Sequence, residues 1–160
     1  MSEQIRVLRA TLNIPHETAF FKPDAMNSLP TYPVPPITTI QGMLYAAMGR
    51  PSLLQPNQLP NEIRSREEDF RQRVRDECRF GERVVDRSGN ITALRSRQKA
   101  SGKTEEAYVT YPTQAETLIQ PTYRIYVTGP DDLRSAFEYA LENPQRMLYL
   151  GRSDDMVDIE

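Results

Sequence analysis

The sequence predicts an α+β fold: two helices with clean apolar stripes alternate with strand-like runs, each strand-helix-strand passage has its own turn signals, and no internal repeat breaks the order. A chain of 160 residues can bury roughly two-thirds of its unfolded surface around one core, so a single domain over residues 1–160 is expected.

Ile5 to Leu12 reads as the first strand, with Ile5 and Val7 on one side and Leu8, Ala10 and Leu12 on the other, a pattern expected of a strand covered over much of both faces. Residues 13–23 and a proline-rich passage from Leu29 to Pro36 follow, in which no regular element persists. A helix over about 38–48 then begins, because Ile40, Met43, Leu44, Ala47 and Met48 recur at the helical spacing. Thr38 and Thr39 are its candidate caps, Gly49 its C-terminal glycine and Pro51 its stop. Gly42 and Ala46 lie on the opposite face, small enough to admit a backbone or a ligand. Glu62 to Glu77 is charge-rich, with Ile63, Phe70, Val74 and Cys78 as apolar positions, and predicts a further, modest helix.

Phe80 to Leu94 turns strand-like, with residues 86–90 as a turn cluster between two runs. The polar stretch Arg95 to Thr104 carries four positive charges and no acid. Tyr108 to Tyr111 and Thr117 to Ile119 are further strand pieces, leading to a strand at Tyr123 to Val127. Gly129-Pro130-Asp131-Asp132 opens a helix with proline in its first turn and two acids at the positive end of the dipole. Its stripe is Leu133, Ala136, Phe137, Ala140 and Leu141; Asn143-Pro144 ends it, and Arg146 to Arg152 starts a last strand. This order is the ferredoxin-like or RRM-like arrangement with a hairpin inserted in its middle.

Composition narrows the chemistry. The hydrophobic fraction of 38% and mean hydropathy of -0.62 are polar for a self-contained globule, so surface reserved for partners is expected. One cysteine, Cys78, and one histidine, His16, leave neither an internal disulfide nor a Cys/His zinc cluster. Met1 to Arg6 lacks an apolar signal core, and no run of about eighteen apolar residues exists, so a cytoplasmic protein with no membrane contact is expected. A net charge of -2 argues against holding bare nucleic acid by bulk electrostatics. Yet only Lys22, Lys99 and Lys103 of the twenty basic residues are lysines. The arginine fork suits phosphate or carboxylate recognition, although a codon bias gives the same skew.

The runs Ala19-Phe20-Phe21-Lys22-Pro23, Thr31-Tyr32-Pro33-Val34-Pro35-Pro36, Thr39-Ile40-Gln41-Gly42-Met43-Leu44 and Ala47-Met48-Gly49 resemble the N-terminal signature of the Cas-five family of CRISPR-associated RAMP proteins. Leu118 to Val127 resembles the family's strand before its second helix, and Tyr149-Leu150-Gly151-Arg152-Ser153 its late Tyr-x-Gly-Arg element. The resemblance covers most of the chain and is weakest in the middle. Many members continue beyond the position of Glu160, and the middle segment lacks a convincing catalytic cluster. The resemblance implies a RAMP domain with an inserted β-hairpin thumb at about residues 84–117. It implies a non-catalytic subunit of a type I Cascade complex that binds the 5′ handle of the CRISPR RNA (crRNA) in antiviral defence. Its partners would be the backbone subunit (Cas-seven type), whose filament it ends, and the large subunit (Cas-eight type), with target DNA met only indirectly.

The first turn of the helix at 38–48 offers free N–H groups near Thr38, Thr39, Ile40 and Gln41, suited to an RNA phosphate, and Lys22 would complete that site. The plainer reading is that Thr38 or Thr39 only caps the helix. Arg95, Arg97, Lys99 and Lys103 fall in the implied thumb; four like charges in nine residues call for an anionic partner, or else form a solvated loop. Tyr108 and Tyr111 flank them as candidates for base stacking or for ordinary sheet packing. Tyr32 and Tyr45 read as packing residues, and Arg152 as an RNA contact suggested by the resemblance alone. No catalytic residue, metal ligand or cofactor is assigned. Glu67, Glu68, Asp69, Asp154 and Asp155 read as solvated acids, and Cys78 as a small buried apolar residue.

Two other functions stand beside this one. A metal-independent endoribonuclease that processes precursor crRNA would need a base for the 2′-hydroxyl and an acid for the leaving oxygen, whereas His16 stands alone in sequence with no Lys-His pair anywhere. A protein-interaction module without an RNA role is the third.

Overall fold

The computed structural model describes residues 5–22, 28–53, 58–100, 108–151 and 155–160. The chain runs β1 (Leu8–Asn13), β2 (Glu17–Thr18), β3 (Ser28–Leu29), α1 (Ile37–Ala47), α2 (Asn61–Glu77), β4 (Arg79–Asp86), β5 (Gly89–Ala100), β6 (Tyr108–Ile119), β7 (Thr122–Thr128), α3 (Asp131–Glu142) and β8 (Asp158–Ile159). The main sheet has the order β4-β7-β1-β8 with every neighbour antiparallel. Helices follow its first and third strands in chain order, which is the ferredoxin-like arrangement within the α+β class. Where β4 would turn directly into β7, the chain inserts the hairpin β5–β6, paired from Gly89↔Ile119 to Ala100↔Tyr108. β2 and β3 join the other edge of β6, antiparallel and parallel respectively, and complete a second sheet.

Strand alternation and helical stripes meet on one face of the main sheet. Leu8, Ala10 and Leu12 of β1 and Tyr123, Ile125 and Val127 of β7 are buried under Ile40, Met43, Leu44 and Ala47 of α1 and Leu133, Phe137, Ala140 and Leu141 of α3. Each large apolar side chain so covered contributes about 1.5–3 kcal/mol. The first strand begins later than expected, at Leu8, and Ile5 and Val7, which precede it, are 77% and 47% exposed.

Each of α1, α2 and α3 enters from a proline. Pro36, Pro60 and Pro130 occupy the N-cap positions with extended backbone, and no side chain caps any of them. Thr38 and Thr39 are thus first-turn residues and not caps; the Pro36 carbonyl already accepts from the N–H groups of Thr39 (2.8 Å) and Ile40 (3.1 Å). Pro130 likewise precedes its helix. At the far end of α1 the expected glycine is present: Gly49, with φ +71°, lets its N–H reach the Ala46 carbonyl and that of Arg50 the Tyr45 carbonyl, a Schellman closure.

Two further expectations change. The turn cluster at 86–90 does not fold its flanking runs onto each other, since β4 pairs with β7 and β5 with β6; it carries the chain from one sheet to the other. Residues 146–152 form no strand in the described part. Tyr149 makes a single bridge to Met156, and the strand that closes the main sheet is β8, because the burial of Leu148 and Leu150 turns this segment inward before the sheet edge.

Candidate nucleic-acid interface

The small-residue face of α1 opens onto a pocket of about 400 Å³ whose walls include Thr38, Gly42, Ala46, Arg50, Arg71 and Arg146. A side chain added at Gly42 would meet nothing within 4 Å, so the glycine keeps this face open. Three separate segments supply the arginines. Arg50 follows the Schellman turn of α1, Arg71 sits on α2, and Arg146 is brought in because the Gln145 N–H donates to the Ala47 carbonyl at 2.8 Å.

Two of these guanidinium groups are held by rings. Arg50 stacks 3.3 Å from the Phe70 ring centroid and donates to the Glu67 carboxylate at 2.8 Å. Arg71 lies 4.7 Å from the Tyr45 centroid and donates to the Pro51 carbonyl at 2.7 Å. Tyr45 and Phe70 meet edge-to-face at 6.0 Å, and burial pushes the Tyr45 hydroxyl above its ordinary pKa against the opposing pull of Arg71 and Arg75. With Glu67 committed to Arg50, the pocket retains surplus positive charge and suits an anion.

Sequence reasoning missed Arg50, Arg71 and Arg146, which are far apart in the chain; the only signal was the pair Gly42 and Ala46. Of the expected phosphate ligands, Thr38 lines the pocket, whereas Thr39, Gln41 and Lys22 do not. Lys22 stands over Tyr32, 5.3 Å from its centroid. That loop is pinned by the buried Thr31, whose hydroxyl accepts from the Phe20 N–H at 2.8 Å and whose own N–H donates to the Glu116 carboxylate at 2.9 Å.

On the hairpin, Arg95, Arg97 and Lys99 occupy alternate positions of β5, opposite Thr113, Tyr111 and Val109, and Tyr108 pairs with Ala100. Nearer its base Ile91 and Leu94 are exposed. Lys103 and Arg152 lie outside the described residues. His16 is exposed between β1 and β2, its carbonyl accepting from the Gln120 N–H at 2.7 Å. Among the described residues no group of three His, Cys, Asp or Glu side chains is placed to hold a metal ion, and no helix is long and apolar enough to cross a membrane.

Two acids expected in solvent are buried. Glu67 is covered because it pairs with Arg50, and Asp155 because it accepts a hydrogen bond from Thr18. Glu68 and Asp69 are exposed as expected, Tyr45 and Cys78 are buried packing residues, and Asp154 lies outside the described residues.

A family model described as CRISPR-associated protein (Cas_Cas5) matches residues 18–160. No curated protein matches the chain. A chain of a solved CRISPR RNA-guided surveillance complex shares the fold with a TM-score of 0.56 and 22% identity, over 94% of this chain and 60% of that one. The crystal structure of a Cas protein does so with a TM-score of 0.55 and 24% identity, over 94% of this chain and 59% of that one. The chain therefore spans about three-fifths of the length of these structural relatives.

Proposed function

Because the chain belongs to the Cas-five family of CRISPR-associated proteins, we propose that it is a non-catalytic subunit of a crRNA-guided Cascade complex and holds the 5′ handle of the guide. The observation that carries this reading is the hairpin β5–β6, which interrupts a ferredoxin-like core and sets Arg95, Arg97 and Lys99 at alternate positions of one strand. Alternate positions of a strand share a face, so these three residues belong to one face of the hairpin, where a phosphate backbone is the proposed occupant; Tyr108 and Tyr111 on the paired strand and Lys103 in the same stretch of sequence are the further proposed contacts. The arginine pocket on α1, with Thr38 at its wall, supplies a second phosphate position, and Arg152 is assigned an RNA contact from the Tyr-x-Gly-Arg element alone. In this reading residues 1–160 act as one RAMP domain whose thumb is the insertion at about 84–117.

The partners follow from the same surfaces. Exposed Ile91 and Leu94 at the hairpin suit a protein neighbour, the backbone (Cas-seven type) or large (Cas-eight type) subunit. Those neighbours supply positive surface that a chain of net charge -2 does not. We assign no cleavage: a metal-independent cut needs a paired base and acid, and His16, the single histidine, stands exposed on its turn.

Purification of the tagged protein with its genomic neighbours, followed by sequencing of the bound RNA 5′ ends, tests the reading. Uniform repeat-derived ends that are lost on Arg95→Ala, Arg97→Ala and Lys99→Ala together support it; an assembled complex without RNA overturns it. Cleavage of precursor RNA by the purified chain, abolished by His16→Ala, would replace it with the endoribonuclease.

A further inference from the structure

Among the described residues that line the pocket on α1 are three arginines, Arg50, Arg71 and Arg146, and no acid. Each guanidinium is steadied by a neighbour: Arg50 by the Glu67 carboxylate, Arg71 by the Pro51 carbonyl, and Arg146 by the Gly49 carbonyl at 3.5 Å. Only the first of these contacts neutralises charge. Three guanidinium charges less one carboxylate leave a surplus of two positive charges at the pocket. Hydrogen-bonding capacity is in surplus as well, since the Arg50 Nε and the Arg71 Nε are both buried with no acceptor among the described residues. A buried donor without a partner costs free energy that a bound anion restores.

Size and lining say what carries the anion. A volume of about 400 Å³ exceeds what a phosphate group fills and lies within the range of about 300–1,000 Å³ usual for small-ligand sites. Beside the arginines the wall is largely apolar, with Ala46, Pro51 and Leu53 half-buried and therefore within reach of a ligand. Gly42 keeps the space free, because a Cβ there would meet nothing within 4 Å. The pocket thus pairs a compact cationic cluster with apolar surface for an organic group.

We propose that this pocket binds a phosphate monoester of nucleotide size, its dianion on Arg50, Arg71 and Arg146 and its organic part against Ala46, Pro51 and Leu53. An internal phosphodiester carries a single negative charge and leaves half of the surplus unbalanced, whereas a monoester carries about −1.5 to −2 at neutral pH. Guanidinium forks meet the oxygens of such a terminal phosphate bidentately, which a lone ammonium does not. A free nucleotide and the phosphorylated end of a nucleic-acid strand present the same group. The inference rests on the reading of this pocket as a phosphate position and deepens it; it is independent of the charged hairpin strand.

Isothermal titration calorimetry of the full chain with adenosine 5′-monophosphate (AMP) as the probe tests it. Wild type should bind AMP, while adenosine, which lacks the phosphate, and adenylyl-(3′,5′)-adenosine, which has only the diester, should bind at least about tenfold more weakly. Arg146 is exposed, so Arg146→Ala leaves the fold intact and should weaken AMP binding about tenfold. Gly42→Leu fills the pocket with a residue that suits a helix better than glycine, and should abolish binding without unfolding the chain. The Arg95→Ala/Arg97→Ala/Lys99→Ala variant should bind AMP as wild type does. A 5′-phosphorylated oligonucleotide that displaces AMP assigns the site to strand ends, and one that does not assigns it to free nucleotides. No binding of AMP by wild type, equal affinity for AMP and the diester, or unchanged affinity in both Arg146→Ala and Gly42→Leu overturns the proposal. Handle RNA retained by a chain that ignores AMP removes this inference alone; AMP binding by a chain whose assembled complex holds no RNA removes the handle reading alone.

Discussion

The Thr18 hydroxyl lies 2.6 Å from the Asp155 carboxylate and 2.9 Å from the Leu150 carbonyl, joining β2 to residues more than 130 positions later in the chain. All three groups are buried, so the hydroxyl proton shared between two acceptors anchors the chain after α3 to the second sheet. Thr18→Val keeps the shape and removes the donor. It should lower unfolding free energy by about 1–3 kcal/mol, read as a lower urea midpoint at constant m; an unchanged midpoint would show that the contact contributes nothing.

Gly151 sits at φ +108°, and a Cβ there would stand 2.5 Å from the Thr18 Oγ1 and 3.0 Å from the Ala19 carbonyl oxygen. Gly151→Ala combines an unfavourable backbone with a clash against buried polar atoms, at a cost of about 2–4 kcal/mol. The thermal midpoint should fall by several degrees or more. A midpoint equal to wild type would mean that the segment relaxes freely, against the packing seen.

Tyr123 lies fully buried against Phe20, with ring centroids 5.9 Å apart, and its hydroxyl has no hydrogen-bond partner among the described residues. Tyr123→Phe should leave stability at neutral pH unchanged or raise it by up to about 1–2 kcal/mol, since an unpaired buried hydroxyl is removed. A loss larger than about 1 kcal/mol in chemical denaturation would reveal a partner for it.

Burial also raises the pKa of Tyr123, Tyr45 and the Cys78 thiol above their ordinary values. In the unfolded chain these groups release protons at lower pH than in the folded one, so the unfolded state binds fewer protons in alkali and stability falls as pH rises. The decline should begin near pH 9 with the thiol and steepen near pH 10 with the tyrosines. Cys78→Ala should remove the early part of the slope and Tyr123→Phe part of the later one. A pH profile that stays flat to pH 11 in every variant is the contrary result.

Glu67 is 91% buried by side-chain area and binds Arg50, whose own side chain is 76% buried. Glu67→Ala strands that guanidinium between Phe70 and the pocket, and stability should drop by about 1–3 kcal/mol, less than for a wholly buried pair because water reaches Arg50. The same variant leaves the pocket more positive, so inorganic phosphate should protect it against thermal unfolding more than it protects wild type. Equal protection would argue that the pocket takes no anion.

By itself the sequence determined the elements whose signals are local. The stripe Ile40 to Ala47, the Gly49 closure, the Leu133 to Leu141 stripe and the alternation of Tyr123, Ile125 and Val127 all follow from side-chain periodicity, which survives in one dimension. The order of those elements sufficed for the ferredoxin-like class and the inserted hairpin, and the quoted motifs for the family. Cys78 could be read as buried because it ends an apolar series on α2; in the structure its Sγ packs where a side chain on Gly129 would stand, 2.8 Å away. Tertiary structure alone decided everything that depends on groups meeting across the chain. Glu67 and Asp155 look like solvated acids until Arg50 and Thr18 arrive beside them, and the pocket arginines belong to three segments that only the packing of α1, α2 and the post-α3 chain brings together. The face of the main sheet away from the helices has the same origin. Arg9, Tyr126 and Gly81 become neighbours through strand register, and register is set by hydrogen bonding between strands distant in sequence, which no local pattern encodes.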